Sequence, residues 1–316
     1  MPDLSGRSYC PTGGRIEWPP FRLTERSPRP RSHVIWASRS LIFCNDKTVL
    51  QLPAPRGFRL KRRQTSTVDE LRPAVLVAQR LPRLVLARLH DMPAFGADLS
   101  ALEIRTAILQ ASEYVDLGAL IHFSWSRGVA VIHIPPGRLP RGVKKFHGLA
   151  MFCDNTPVIV LGSGQDSPPW LAYHLAHELG EIFTGHVRPG DQPLVDSEID
   201  RIDNDKDEQE ADEFATTVLT GKPHLGFFPK YGLTGPKLAL AAAQYGGRHG
   251  IEPCTVALMY ARSANRWGPS QIAIKEFGQD SGAHEIINHQ LITRIQSEDL
   301  PESTARFLNA LLATAD

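Results

Sequence analysis

Ser167-Pro168-Pro169-Trp170-Leu171-Ala172-Tyr173-His174-Leu175-Ala176-His177-Glu178-Leu179-Gly180-Glu181-Ile182-Phe183-Thr184-Gly185 is the stretch on which the reading of this 316-residue chain turns. Serine is a favoured N-cap and proline suits the first helical position, so a helix is predicted from Pro168 to about Thr184, ending before Gly185. Leu171, Leu175, Leu179, Ile182 and Phe183 keep helical spacing and supply a packed flank. On such a helix His177 and Glu181, four apart, share a face, and Glu178 stands about 100° further round the axis. That geometry sets two metal ligands one turn apart, with a carboxylate beside them able to act as general base. The zinc form of the pattern is His-Glu-x-x-His; here Glu181 takes the second histidine's place. His174 reads as a hydrogen-bonded core or cleft histidine, with an auxiliary ligand role as the alternative. His186, just past Gly185, reads as an exposed loop histidine, with a fold back toward the metal as the alternative.

A second stretch strengthens the first. In Glu208-Gln209-Glu210-Ala211-Asp212-Glu213-Phe214-Ala215, the residues Ala211, Phe214, Ala215, Val218 and Leu219 form an apolar stripe, so a helix packed on one side is predicted from about Asp207 to Leu219. Glu208 and Asp212 lie four apart near the edge of that stripe. One carboxylate can ligate a metal while the other orients a ligand histidine through its far ring nitrogen. The acidic run Asp196–Asp207 reads as a solvated linker. It is not a calcium loop, because Glu208 and Phe214 stand where such a loop needs its sixth-position glycine and twelfth-position glutamate.

Taken together, His-Glu-Leu-Gly at 177–180, the Glu-x-x-Ala-Asp-x-Phe-Ala run at 208–215 and Leu219-Thr220-Gly221 resemble the ImmA/IrrE family of bacterial metallo-endopeptidases over residues about 98–278. The resemblance implies a zincin-like metallopeptidase core and a cytoplasmic enzyme acting on a protein or peptide substrate, a repressor-type DNA-binding regulator. It implies His177 and Glu208 as metal ligands, Glu178 as catalytic base and Asp212 as the group behind the ligand histidine, where many members have asparagine. It also implies zinc. Glu181 departs from the family pattern, and as a ligand it would add a second negative charge. That leaves bound water less acidic, and hard oxygen donors tilt preference toward manganese or iron. The expected function is a metal-dependent endopeptidase. The rival is a catalytically degenerate peptidase fold serving as a regulatory or protein-interaction module.

Working outward, Ser100 and Glu103 resemble a capping box for a helix carrying Ala101, Ile104, Ile108, Ala111 and Val115. Gly128–Ile134 and Pro157–Leu161 read as strands. Beyond Gly235 the pattern is helical, at about 236–245, 253–265, 269–277, 283–296 and 301–314. The expected class is α+β, with a small mixed sheet packed on a helical majority. Three segments follow: a basic, Pro/Arg-rich region at 1–97, largely disordered or poorly folded; the metallopeptidase domain at 98–278; and a helical extension at 279–316. Residues 1–97 hold 17 basic and 7 acidic residues against 18 and 27 in the remainder, which conceals the asymmetry behind a net charge of +1. Nucleic-acid contact through Arg59, Lys61, Arg62 and Arg63 is a weak suggestion beside a solvated basic tail, for no helix-turn-helix pattern surrounds them. Residues 71–90 have helical spacing that Pro73 and Pro82 would break or kink. Four scattered cysteines, none in a Cys-x-x-Cys pair, argue against a disulfide framework or a thiolate zinc site and fit a reducing compartment. No apolar run suits a bilayer, and a signal-peptide stretch is not seen, so a cytoplasmic location without membrane contact is expected.

Overall fold

The computed structural model describes residues 81–89, 92–96, 99–135, 147–162, 165–190, 201–228 and 232–295, and single positions 302, 306, 308 and 312. All belong to the compact unit Leu50–Asp316. The readings made for 1–80, including the disorder and the basic cluster, fall outside these residues, as does most of the helix predicted at 301–314. Residues 81–86 are helical, and Pro82 is among them.

Helix α1 spans Ala101–Leu109, and its capping box forms as predicted between Ser100 and Glu103. Ile104 and Ile108 face the core. Helix α2, Leu117–Ser126, went unread in the sequence. Its exposed face is only the narrow row Gly118, His122 and Ser126, a weak form of the polar face that gives a surface helix its period, but Asp116 caps it through the Ala119 N–H.

Strands β1 (Ala130–His133), β2 (Gly148–Cys153) and β3 (Thr156–Leu161) form a mixed sheet in the order β1-β3-β2. β1 and β3 run parallel, with Ala130 opposite Val158 and His133 opposite Leu161. β2 and β3 are an antiparallel hairpin whose turn places Asp154 at φ 55°, a left-handed conformation that aspartate tolerates. Every residue of β1 is buried, and every residue of β3 after Thr156, so both faces of the sheet are covered there. The result is the small mixed sheet with a helical majority that composition and periodicity led us to expect.

Helix α3, Pro168–Phe183, lies against β2, β3 and α2 at the centre of the molecule, which explains why fourteen of its residues are buried. Ser167 occupies the N-cap position, but its hydroxyl does not cap. It donates instead to the Gln279 carbonyl (2.8 Å). Helix α4, Arg201–Thr220, begins six residues before the predicted start. The linker reading is thus corrected over 201–206: an acidic helix N-terminus is favoured by the helix dipole, so charge density there does not signal coil. At Gly180 the two helices approach so closely that a Cβ would sit 3.2 Å from the Ala211 Cα, carbonyl oxygen and Phe214 Cβ. Glycine on one helix and alanine on the other therefore set the separation of α3 and α4.

Helices α5 (Gly235–His249), α6 (Pro253–Ala264) and α7 (Trp267–Glu276) close around a second apolar cluster centred on Leu238, Ala257, Tyr260 and Ala273. The buried Arg105 joins this cluster to the first: its guanidinium donates to the carbonyls of Val218 and Leu219 at the end of α4, and to that of Gly250. Helix α8, Ala283–Ile292, packs on β1. Its Asn288 accepts from the His133 N–H and donates to the His133 carbonyl, so β1's outer edge is paired with a side chain instead of left open. Asp166 fastens the start of α8 by accepting from the N–H groups of Gly282 and His284 and from the His284 ring. No helix among the described residues is long and apolar enough to cross a membrane.

Candidate metal centre

The close crossing of α3 and α4 brings three predicted ligands together. One donor atom from each of His177, Glu181 and Glu208 lies within 4.8 Å of the other two. His177 Nε2 is 3.6 Å from Glu208 Oε2 and 3.9 Å from Glu181 Oε1. His177 and Glu181 are buried, whereas the Glu208 side chain is 42% exposed, so the group opens toward solvent on the α4 side. This group could hold a divalent cation. Two carboxylates turned toward one imidazole nitrogen in a confined space make a donor set that a divalent ion neutralises, with one nitrogen and two hard oxygens offered.

Asp212 stands where the second helix was expected to supply an orienting carboxylate. Its Oδ1 accepts from His177 Nδ1 (2.9 Å), which commits the ring's other nitrogen, Nε2, to the side of Glu181 and Glu208. Two further residues build this support, and neither was read from the sequence. The Tyr173 hydroxyl donates to the same Asp212 oxygen (2.7 Å), and burial pushes the phenol's pKa up, so it remains a donor. Arg262, from α6, donates to Asp212 Oδ2 (3.1 Å) and lies over the Tyr173 ring, 3.9 Å from its centroid. Tyr173 sits one turn before His177 and could have been found by that spacing. Arg262 is fifty residues from Asp212 and no local pattern marks it.

Glu178 is buried on the side of α3 that faces β2. A Cβ at Gly148 would overlap its carboxylate, so the glycine at the start of β2 leaves the space that Glu178 fills. A glycine opening an apolar strand is a sign of close approach, and that signal was present in Gly148-Leu149-Ala150-Met151-Phe152-Cys153 although the strand went unread.

His174 is buried outside the three-residue group. Its ring stacks on His147 (4.7 Å between centroids) and meets the edges of Trp170 and Tyr173. His186 is not the exposed loop histidine favoured in the sequence, for its side chain is only 9% exposed. Its Nδ1 lies 3.4 Å from Glu181 Oε2, and its Nε2 lies 3.1 Å from Glu210 Oε2 and 3.7 Å from Asp207 Oδ1. Glu181 above all, with Glu210 and Asp207, raises the His186 pKa against the opposing effect of burial. Of the four cysteines, the two described, Cys153 and Cys254, are buried.

No family model, curated protein or solved structure matches the chain.

Proposed function

We propose that this chain is a metal-dependent endopeptidase in which His177, Glu181 and Glu208 hold a divalent ion and Glu178 handles the proton. The observation that carries the reading is the convergence of those three donor atoms from two helices, with Glu178 adjacent on the same helix. When bound, a divalent ion supplies Lewis acidity, lowering the pKa of water and polarising a carbonyl. Asp212 holds the His177 ring so that Nε2 is the ligating nitrogen. Glu178, next to His177 on α3, lies against Gly148 of β2. It takes the proton from attacking water and returns it to the leaving amine as the peptide C–N bond breaks. Zinc is the metal that the ImmA/IrrE resemblance favours; manganese or iron suits the two carboxylates. A repressor-type regulator is the substrate that the resemblance suggests.

Glu181 supports a second reading. A shell with two carboxylates draws less electron density from bound water than one with a single carboxylate, and a chain that bound metal without turnover would act as a regulatory or protein-interaction module. The test is metal analysis of the purified chain beside its His177→Ala variant, followed by cleavage of a mixed peptide library by the chain and its Glu178→Gln variant. The enzyme reading expects near one ion per chain, lost in His177→Ala, and cleavage lost in Glu178→Gln with the ion retained. Bound metal without cleavage assigns the module. A metal-free chain of normal stability ends the enzyme reading.

A further inference from the structure

Glu181 brings to position 181 a flexible carboxylate where the related motif has a stiff ring, and a long acidic side chain loses more rotamer freedom on being fixed. The end of α3 supplies a restraint. Gly185 takes φ +77°, a left-handed conformation suited to glycine, and the Val187 N–H returns to the Glu181 carbonyl (3.0 Å). The chain thus doubles back over the last turn and carries His186 behind Glu181. Of the Glu181 oxygens, Oε2 lies 3.4 Å from His186 Nδ1 and Oε1 lies 3.9 Å from His177 Nε2. One oxygen is on the side of the ring and the other on the side of the metal group.

We propose that His186 is a positioning residue that holds Glu181 in its ligating orientation, gripping the oxygen that points away from the metal. The proposal rests on the metal-site reading above. Ligating carboxylates are commonly fixed by a partner on their far oxygen, and such partners matter to affinity nearly as much as ligands do. His186 is not itself one of the converging donors: its nitrogens face Glu181 on one side, and Glu210 and Asp207 on the other. The competing role is a mechanical clip, in which the 3.1 Å contact to Glu210 ties the end of α3 to α4 and Glu181 is incidental.

The two roles use opposite ring nitrogens, so amide variants separate them. The asparagine amide nitrogen stands close to where Nδ1 was, whereas glutamine reaches the place of Nε2. The chain is stripped with a chelator and titrated with cobalt(II) alone, reading affinity and the visible absorption band. His186→Ala is expected to lower cobalt affinity about 10–100-fold and to change the band. His186→Asn should restore most of the loss, and His186→Gln should not. Wild-type affinity in His186→Ala, or rescue by Gln and not by Asn, overturns the proposal and assigns the clip. If circular dichroism finds His186→Ala unfolded, the Asn and Gln comparison decides alone. A wild-type chain that takes up no cobalt overturns the metal-site reading and this proposal together. Uptake with an indifferent His186 overturns this proposal only.

Discussion

Asp212 is the point through which three elements act on His177. Its Oδ1 lies 2.9 Å from His177 Nδ1 and also accepts the Tyr173 hydroxyl at 2.7 Å, while Oδ2 takes Arg262 from α6. A carboxylate held by three donors cannot swing away, and the imidazole it holds inherits that fixity. His177 is thereby tied both to its own helix, by Tyr173, and to the helical cluster of α5–α7, by Arg262.

The first prediction follows from this arrangement. Asp212→Ala leaves His177 free to turn and removes the negative charge that makes its ring a better ligand. Zinc affinity is expected to fall about 10–100-fold, measured by competition with a chromophoric chelator. Tyr173→Phe removes one hydrogen bond of about 1 kcal/mol and should cost less than tenfold. An Asp212→Ala chain that binds zinc as the wild type does would show that the orienting role is absent.

Glu181 gives the second prediction. Replacing it with histidine changes the donor set from one nitrogen and two carboxylates to two nitrogens and one carboxylate. Imidazole suits zinc, and carboxylate suits manganese. Glu181→His is therefore expected to shift competitive loading toward zinc, read by elemental analysis after equilibration with both ions. The Glu181 side chain is only 5% exposed and close to His177, so an unchanged zinc-to-manganese ratio would mean that this carboxylate does not face the ion.

How much of this was legible in the sequence depended on the range of each signal. The α3 boundaries and the 177/181 face come from residues within one or two turns, and local periodicity carried them. The α1 capping box was legible for the same reason. The pairing of Glu208 and Asp212 with His177 needed a second helix, and its own stripe of Ala211, Phe214 and Ala215 announced it. What could not be read was contact without local pattern, such as Arg262 reaching across from α6; Gly148 carried a local sign of close approach but not the identity of its partner thirty residues away. Helix α2 was hidden because its exposed face is a narrow row of Gly118, His122 and Ser126, too slight to contrast with its apolar remainder. His186 was misjudged because exposure was inferred from loop position, whereas Gly185 turns that loop back onto α3.

His133 gives a prediction about stability. Its side chain is fully buried in β1 and its ring nitrogens have no hydrogen-bond partner among the described residues; burial pulls its pKa down from 6.5 to about 4, with Asp166 opposing and His284 reinforcing the shift. The unfolded chain, whose histidine titrates near 6.5, therefore binds more protons between about pH 4 and 6.5. Above that window the ring is neutral in both states and full stability is present. As pH falls through the window stability is lost, by roughly 3 kcal/mol for a shift of this size, and below it there is no further loss from this group. Urea unfolding at pH 7.5 and pH 4.5 should find the wild type weakened at the lower pH, and His133→Leu weakened less. Equal losses in both chains would assign the acid sensitivity to other groups.

The sharpest separation of chemistry from structure is offered by Gly148. A methyl group there overlaps the Glu178 carboxylate, and the side chain can escape because a glutamate rotates where backbone would not. Gly148→Ala should therefore fold and keep its metal, since His177, Glu181 and Glu208 lie on other elements. Glu178, however, would be displaced from the position that the proposed proton-transfer role requires. General acid–base catalysis contributes about 10²–10⁴-fold, so peptide cleavage is expected to fall by about that much, with the lost factor in kcat and not in KM. The comparison to make is Gly148→Ala against Glu178→Gln in metal content, melting temperature and kcat. If the alanine variant cleaves at the wild-type rate while Glu178→Gln does not, Glu178 works from a position that Gly148 does not control. If neither change lowers the rate, Glu178 is not the base.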